Sequence, residues 1–515
     1  MRSGALFAIN ALMNLAFGLA LSWVLPAEIY GAFMVCFTVA ILISNLVYDW
    51  ARVALVRFYT GSAGDERGAA RRALDFGFLA SISCCCLAVG AVSVLGILPN
   101  QTLLTAPALL LLSTSHASFE YLTTLCRARF DDASYARMIL IRNGVLLGAS
   151  LPLIAYAGSL DAALVIYALG IAPAVAYGLV RHARRSVGGR FDETHRALPR
   201  QAPQGDRRAA LRWLNRILAA DEPDRLSRIG AYISYSVPLM AAEVVYMLLA
   251  VVNRAWLAHT QGAAVAGGYA LTFDLAFRVL AVTASIGDVV LFPRLVQRAG
   301  KHDREATRGF VARNIAVMAL LLLPAATGFA LTAPSLGDTV LAERFRDAFE
   351  TYAPYAAAAG LFYTLQSYAL RPAFQMELRS ADPLIAACVA LAVNCALLVM
   401  VRGTGLYVAS MAQLAGLLAG LAMLCFRVTW LRLISWPLNE FARIGAASLI
   451  LAAAVLAVPT FSSSTATVGA KAIAGAVAFA VTAFALNAAG IRELAASLAP
   501  TLMPLPWNTD KKNSR

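Results

Sequence analysis

The chain reads as an all-α, polytopic integral membrane protein, and three observations point there. First, 60% of its 515 residues are hydrophobic and only 14% are charged, with a mean hydropathy of +0.68. A soluble chain is roughly half apolar and about a quarter charged, so this excess is buried only by lipid or by other lipid-embedded helices. Second, the apolar residues fall in long runs, many reaching the roughly 20 residues that cross a hydrocarbon core about 30 Å thick. Third, Lys and Arg collect in every second gap between those runs.

About fourteen spans follow from the run lengths. The first, 5–25, is long enough to cross and has no obvious cleavage site of a signal peptide. Spans 31–53, 73–98 and 103–125 come next. Spans 137–158 and 160–180 are split only by a tight turn at Gly158-Ser159-Leu160-Asp161. These six make a predicted N-terminal lobe, 1–180. A basic connection, 181–228, separates them from 229–257, 267–292, 309–331, 350–370, 383–401 and 405–426, a second six-helix lobe over 229–426. Two further spans, 444–460 and 470–490, lie in 427–490, and 491–515 is a tail. Six spans per lobe put both copies the same way up, a parallel repeat about an axis along the membrane normal.

The basic gaps carry Arg67, Arg71 and Arg72; Arg127 and Arg129; the 181–228 segment; Arg298, Lys301 and Arg304; Arg371 and Arg379; Arg427 and Arg432; and Lys511 and Lys512. The alternate gaps keep Arg254, Arg344, Arg346, Arg402 and Lys471. The positive-inside rule then places both termini in the cytoplasm. The net charge of +14 belongs to these connections and to lipid headgroups, not to nucleic acid. Within 181–228, Asp206 can cap a helix to about Ala220. Leu211, Leu214, Ile217 and Leu218 share one face of it, and Arg208, Arg212 and Arg216 another. The pattern fits a helix in the inner-leaflet interface; the alternative is a disordered basic linker. The eight Cys, mostly in apolar runs and without CxxC or Cys/His spacing, read as small fillers of the membrane core.

The two halves echo each other. The first span ends in Leu25-Pro26-Ala27-Glu28-Ile29-Tyr30-Gly31, and the seventh leads into Ala266-Gly267-Gly268-Tyr269. Asp49-Trp50-Ala51-Arg52 and Arg57-Phe58 close the second span; Ser236-Val237-Pro238-Leu239 opens the seventh, Asn253-Arg254 lies near its end, and Phe292-Pro293-Arg294-Leu295 closes the eighth. On these stretches the chain resembles the polysaccharide flippases, the Wzx-like branch of the MOP superfamily that also holds MATE exporters and lipid II flippases. Many relatives have Asp-Arg where this chain has Asn253-Arg254. The resemblance implies two six-helix lobes around a central cavity, two extra C-terminal helices, alternating access, and a polyprenyl-diphosphate-linked oligosaccharide as substrate. Membrane lipids, a polysaccharide polymerase and glycosyltransferases are the partners that fit it.

Polar groups inside spans cost about 2.5–3.5 kcal/mol each at the membrane centre, so each needs a partner, a path to the surface or a wet cavity. Asp49 and Arg52 are three apart and share a face; Arg52 and Arg57 also lie near enough to the end of the second span to snorkel. Arg278 lies deep in the eighth span, with Asp274 one turn away. Its planar fork suits a phosphate, and a bridge to Asp274 is the structural alternative. Arg278 and Arg52 are the candidate diphosphate ligands. Glu243, Glu120, His116, Asp274 and Asn14 are the candidate coupling or cavity residues. A buried carboxylate can take up a proton, and ordinary helix–helix hydrogen bonding is the alternative for each. Asn10 and Asn14, and His116 and Glu120, stand four apart. His116 and Glu120 lack a third ligand, so no metal site is expected, nor any cofactor.

No Walker A, GxSxG or HExxH motif occurs, and the largest alternate-side connection, 332–349, is too small for a catalytic domain. A transporter is therefore expected, not an enzyme. A cation-coupled multidrug exporter, a lipid II flippase and, further off, a membrane polysaccharide polymerase are the other readings.

Overall fold

The structure is a computed structural model that describes residues 2–59, 64–94, 105–129, 131–187, 224–299, 304–377, 379, 381–401 and 405–492. Among the described residues it is helical throughout, with no strand. Helix α1 is Arg2–Val24. The second span is broken: α2, Ala27–Val47, follows Pro26, α3 is Asp49–Ala54, and a π-helical turn covers Leu55–Tyr59. Then come α4, Gly64–Val94, and α5, Thr105–Ala128. Helix α6, Asp132–Val145, is capped by Asp131, which accepts from the Ser134 N–H. A π turn, Leu146–Ser150, leads into α7, Leu151–Ala157, which ends at Gly158 in the left-handed conformation, φ 58°. That φ is what a glycine permits, and the predicted tight turn is there. Helix α8 is Leu160–Val187.

The second half is built of longer rods. They are α9, Arg225–Thr260; α10, Ala263–Ala299; α11, Arg304–Val340; and α12, Glu343–Thr364. Helix α12 continues through a π turn, Leu365–Leu370, into α13, Arg371–Met376. Helices α14, Ala381–Met400, and α15, Gly405–Trp430, are followed by α16, Leu438–Ala457, and α17, Ser464–Ala485, whose cap Ser463 accepts from Ala466.

Each predicted span has its helix. Eleven of the helical rods are long and apolar enough to cross a membrane. The segments at Arg2–Val24, Thr105–Ala128 and Glu343–Met376 are not among them. The last two fall short because they carry charged and hydroxyl side chains along their length. The connection expected at 332–349 shrinks to Leu341–Ala342, because α11 runs on to Val340. Most of the 181–228 connection, including the helix read over 206–220, and most of the 491–515 tail lie outside the described residues.

Chain contacts divide the molecule into two compact units: Met1–Leu275 with Arg379–Met423, and Ala276–Leu378 with Leu424–Arg515. In the first, Gly31 of α2 meets Ala263 and Gly267 of α10. A Cβ on Gly31 would collide with the Ala263 carbonyl, and one on Gly267 would lie 2.9 Å from the Gly31 Cα. The two turn sequences that echo each other thus pack backbone to backbone, which only glycine permits. In the second unit α11 carries the terminal hairpin α16–α17. Helix α17 presents Ile473, Val477, Val481 and Phe484 outward, a lipid-facing surface by composition. All eight Cys are free thiols. Cys84, Cys86 and Cys388 are exposed, so these three face outward from the helices and are not core fillers.

Candidate functional site

The first unit holds a cavity of about 190 Å³ lined by Ile41, Ser44, Asn45, Tyr48, Asp49, Arg52, His116, Ala117, Glu120 and Tyr121. The helix break builds it. Tyr48 leaves helical geometry between α2 and α3, at φ −112°, and its hydroxyl is held 3.2 Å from the Thr114 hydroxyl of α5. The chain then restarts with Asp49 and Arg52 on one face of a short helix. Trp50 points the other way. It is buried, bonds through its indole N–H to Ser81 of α4 at 3.3 Å, and leaves room there only because residue 77 is glycine.

Arg52 Nη2 donates to Asp49 Oδ2 at 2.9 Å, and its Nε donates to Oδ1. This two-pronged pair, predicted from the i, i+3 spacing, leaves the Arg52 side chain 39% exposed, so the guanidinium is not sealed in. On the facing wall His116 and Glu120 share one side of α5, as their spacing predicts. His116 Nδ1 is buried without a hydrogen-bond partner. Glu120 and Glu243 both act on Arg52 electrostatically. Asp49 thus pairs with the guanidinium, and Glu120 and Glu243 act on it from further away. That balance can compensate an added cation or proton, and Arg52 can reach an anion only by sharing its fork with Asp49. Among the described residues no group of His, Cys, Asp and Glu is arranged to hold a metal ion.

The other predicted residues go elsewhere. Asn14 donates to Asn10 at 3.3 Å; Asn143 of α6 also donates to Asn10, at 3.0 Å, a partner the sequence does not signal. Asp274 accepts from Arg254 Nη2, whose Nη1 donates to Thr38 of α2. Arg254, expected in an alternate-side gap, is instead 4% exposed inside the unit, and the structural partner foreseen for Asp274 was Arg278. The neighbouring Asn253 donates to Asn394 at 3.0 Å and to Gln413 at 3.3 Å, joining α9 to α14 and α15. Gln413 also accepts from the Tyr269 hydroxyl. The amide at 253 is thus part of a buried network, which accounts for a neutral residue beside Arg254. Arg278 is half-buried in the middle of α10.

A cluster the sequence reading missed lies beside the cavity. Asp75 of α4 accepts from the Tyr121 hydroxyl at 2.6 Å and from His182 Nε2 of α8 at 2.9 Å. Arg71 Nη2 is 3.2 Å from His182 Nδ1 and 3.0 Å from Nε2, and Arg71 Nε is 3.6 Å from Asp75. All but Tyr121 were expected at or beyond span ends, yet Asp75 and His182 are each 3% exposed. The reason is helix length: α4 begins before Arg71 and α8 runs past His182. Tyr121 belongs to both cavity wall and cluster, and stacks on Phe78 at 4.6 Å between ring centroids.

Comparison with known proteins agrees with this architecture. Residues 220–350 match a family model described as "Polysaccharide biosynthesis protein". That stretch contains the Ser236–Leu239, Asn253-Arg254, Gly268-Tyr269 and Phe292–Leu295 motifs. No curated protein has a significantly similar sequence. Among solved structures the fold is similar to "Lipid II flippase MurJ, inward closed conformation", with a TM-score of 0.63 at 13% identity over 95% of this chain and 98% of that one. It is also similar to an inward-facing multidrug resistance MATE family transporter of the MOP superfamily, with a TM-score of 0.54 at 13% identity over 82% of this chain and 95% of that one. The family model agrees with the resemblance to polysaccharide proteins over those residues, and the fold is similar to that of both solved transporters.

Proposed function

We propose that this protein moves a polyprenyl-diphosphate-linked oligosaccharide across the cytoplasmic membrane by alternating access, during lipopolysaccharide or exopolysaccharide biosynthesis. The observation that carries it is the cavity, a charged chamber between the broken second span, α2 and α3, and the polar helix α5. A substrate with a diphosphate and a glycan is insoluble in hydrocarbon and needs such a polar path. The family model over 220–350 supports the polysaccharide assignment. The match to a lipid II flippase over 95% of the chain, against 82% for the MATE transporter, fits a flippase of fourteen spans better than a multidrug exporter. Both termini are then cytoplasmic, the predicted lobes 1–180 and 229–426 rock against each other, and a polysaccharide polymerase and glycosyltransferases work before and after it.

In this reading Arg52 and Arg278 are each a candidate ligand of the diphosphate, and the carboxylates near Arg52 carry the coupling charge. Proteoliposomes holding a polyprenyl-diphosphate oligosaccharide, scored for glycan exposed to a membrane-impermeant oxidant, test it. Arg278→Ala should abolish translocation in protein that still inserts, and Arg278→Lys should restore part of it, because a point charge loses the bidentate geometry. Wild-type translocation by Arg278→Ala overturns the assignment of Arg278; no translocation by the wild type overturns the substrate.

A further inference from the structure

We propose that His182, held between Asp75 and Arg71, is a proton-binding site that ties α4 to α8 and communicates with the cavity through Tyr121. Geometry carries it. In the neutral ring Nε2–H donates to Asp75 Oδ2, 2.9 Å away, and Nδ1 keeps a lone pair, with Arg71 Nη2 lying 3.2 Å from Nδ1 and 3.0 Å from Nε2. Arginine keeps its proton under all relevant conditions. When a proton from water takes the Nδ1 lone pair, both ring nitrogens become donors, and Arg71 faces a second cation within 3.2 Å. Asp75 then has two cations and one tyrosine hydroxyl to satisfy. Arg71 must give up the ring and turn wholly to Asp75 or move off. A single proton thus exchanges two discrete arrangements of the α4–α8 contact, as a bistable element requires.

Among the described residues Arg71 and Asp75 of α4 face the ring, and Tyr121 of α5 stands behind Asp75, on its other oxygen. Beyond them, Arg129, just after α5, acts on His182 electrostatically and bonds to the Tyr59 hydroxyl at 3.0 Å. Asp75 is the pivot, because its other oxygen holds the Tyr121 hydroxyl at 2.6 Å. Any turn of the Asp75 carboxylate pulls on a ring that lines the cavity beside Glu120. A merely structural tie would need no titratable ring at this point; a glutamine would span the same distance.

The test is thermal unfolding of the full-length protein in detergent micelles from pH 4 to pH 8, for wild type, His182→Gln and Asp75→Asn. The midpoint difference between wild type and His182→Gln should change by about 2–4 °C across the range. A difference that is flat with pH makes the cluster a plain polar tie and overturns the proposal. In Asp75→Asn, with His182 intact, the step should change in size, because the carboxylate that steadies the charged ring is gone; a step of the same size as that of the wild type overturns it as well. If His182→Gln does not accumulate, Asp75→Asn alone decides. The readout is stability, so the result stands whatever the transported substrate proves to be.

Discussion

Two of the arginine–aspartate pairs in the first compact unit, Arg52–Asp49 and Arg254–Asp274, differ in how they are closed. Arg52 and Asp49 sit three residues apart on one short helix, with side chains 39% and 15% exposed. Arg254 and Asp274 come from two helices, and the Arg254 side chain is 5% exposed. The first pair is bidentate and opens on the cavity. The second has one carboxylate contact plus the Thr38 hydroxyl of a third helix, and stands next to the Asn253 amide network. A partly open pair is weakly coupled to folding and keeps donors for a ligand; a closed one joining three helices is bound to the fold, and removing one partner leaves a buried charge. The comparison teaches that span depth alone does not single out a binding arginine. What decides is whether the arginine's donors are consumed by other helices.

The largest expected effect tests the closed pair. Arg254→Ala leaves Asp274, 29% exposed, without its guanidinium. It removes the bonds to Asp274 and Thr38, and a bond to a charged group is worth about 1.5–3 kcal/mol; the loss is seen as less folded protein in membranes and a lowered melting midpoint in micelles. Arg254→Met with Asp274→Leu should recover most of that, because a buried pair replaced by apolar groups is often neutral. If Arg254→Ala folds and melts like wild type while export falls, Arg254 is a ligand residue and the contrast between the pairs fails.

Thr38→Val sharpens the same point with a near-isosteric change. It removes the oxygen that accepts from Arg254 Nη1, and with it the bond Thr38 makes to the Met34 carbonyl at 2.7 Å. A bond to a charged group is worth about 1.5–3 kcal/mol, so the melting midpoint should drop by less than in Arg254→Ala. Thr38→Ser, which keeps the hydroxyl, should recover the greater part. Equal losses for valine and serine would mean that packing, and not the arginine, needs residue 38.

The parts legible in the sequence are those that depend on near neighbours along the chain. Run length gives the spans, and the i, i+3 and i, i+4 rules give Asp49 with Arg52 and Asn10 with Asn14. Helix α5 follows from run length as well, although its charged and hydroxyl side chains make it less apolar than its neighbours. What stayed hidden depends on contacts across the fold. Arg254 finds Thr38 across 216 positions, and His182 finds Asp75 across 107. Charges near span ends read as headgroup contacts because distance from an end stands in for depth. Once α4 and α8 extend further than their apolar runs, Arg71, Asp75 and His182 fall inside the bundle. A local cue was there for part of the cluster, the i, i+4 spacing of Arg71 and Asp75 on α4; the histidine, on another helix, carries none.

The smallest effect on stability, and the one on which the functional contrast rests, belongs to the open pair. Arg52 contacts Asp49 alone among hydrogen-bond partners seen here, on its own helix and partly exposed, so Arg52→Ala should shift stability by less than about 1 kcal/mol. Its effect should fall on translocation. With Asp49, Glu120 and Glu243 near it, losing the guanidinium turns the cavity wall wholly anionic, and a diphosphate is repelled by like charge. Translocation of a polyprenyl-diphosphate oligosaccharide by Arg52→Ala should therefore fall well below wild type while the melting midpoint stays within a few degrees. Arg52→Lys should lie between, keeping the charge and losing the fork. Asp49→Asn separates two accounts of the pair. If Asp49 merely holds Arg52 in place, the variant should translocate like wild type or better, since a competing anion is gone. If instead Asp49 carries a coupling charge, translocation falls although Arg52 is untouched. A stability loss in Arg52→Ala as large as that of Arg254→Ala would erase the distinction, and the exposed guanidinium would then be a structural group like its buried counterpart.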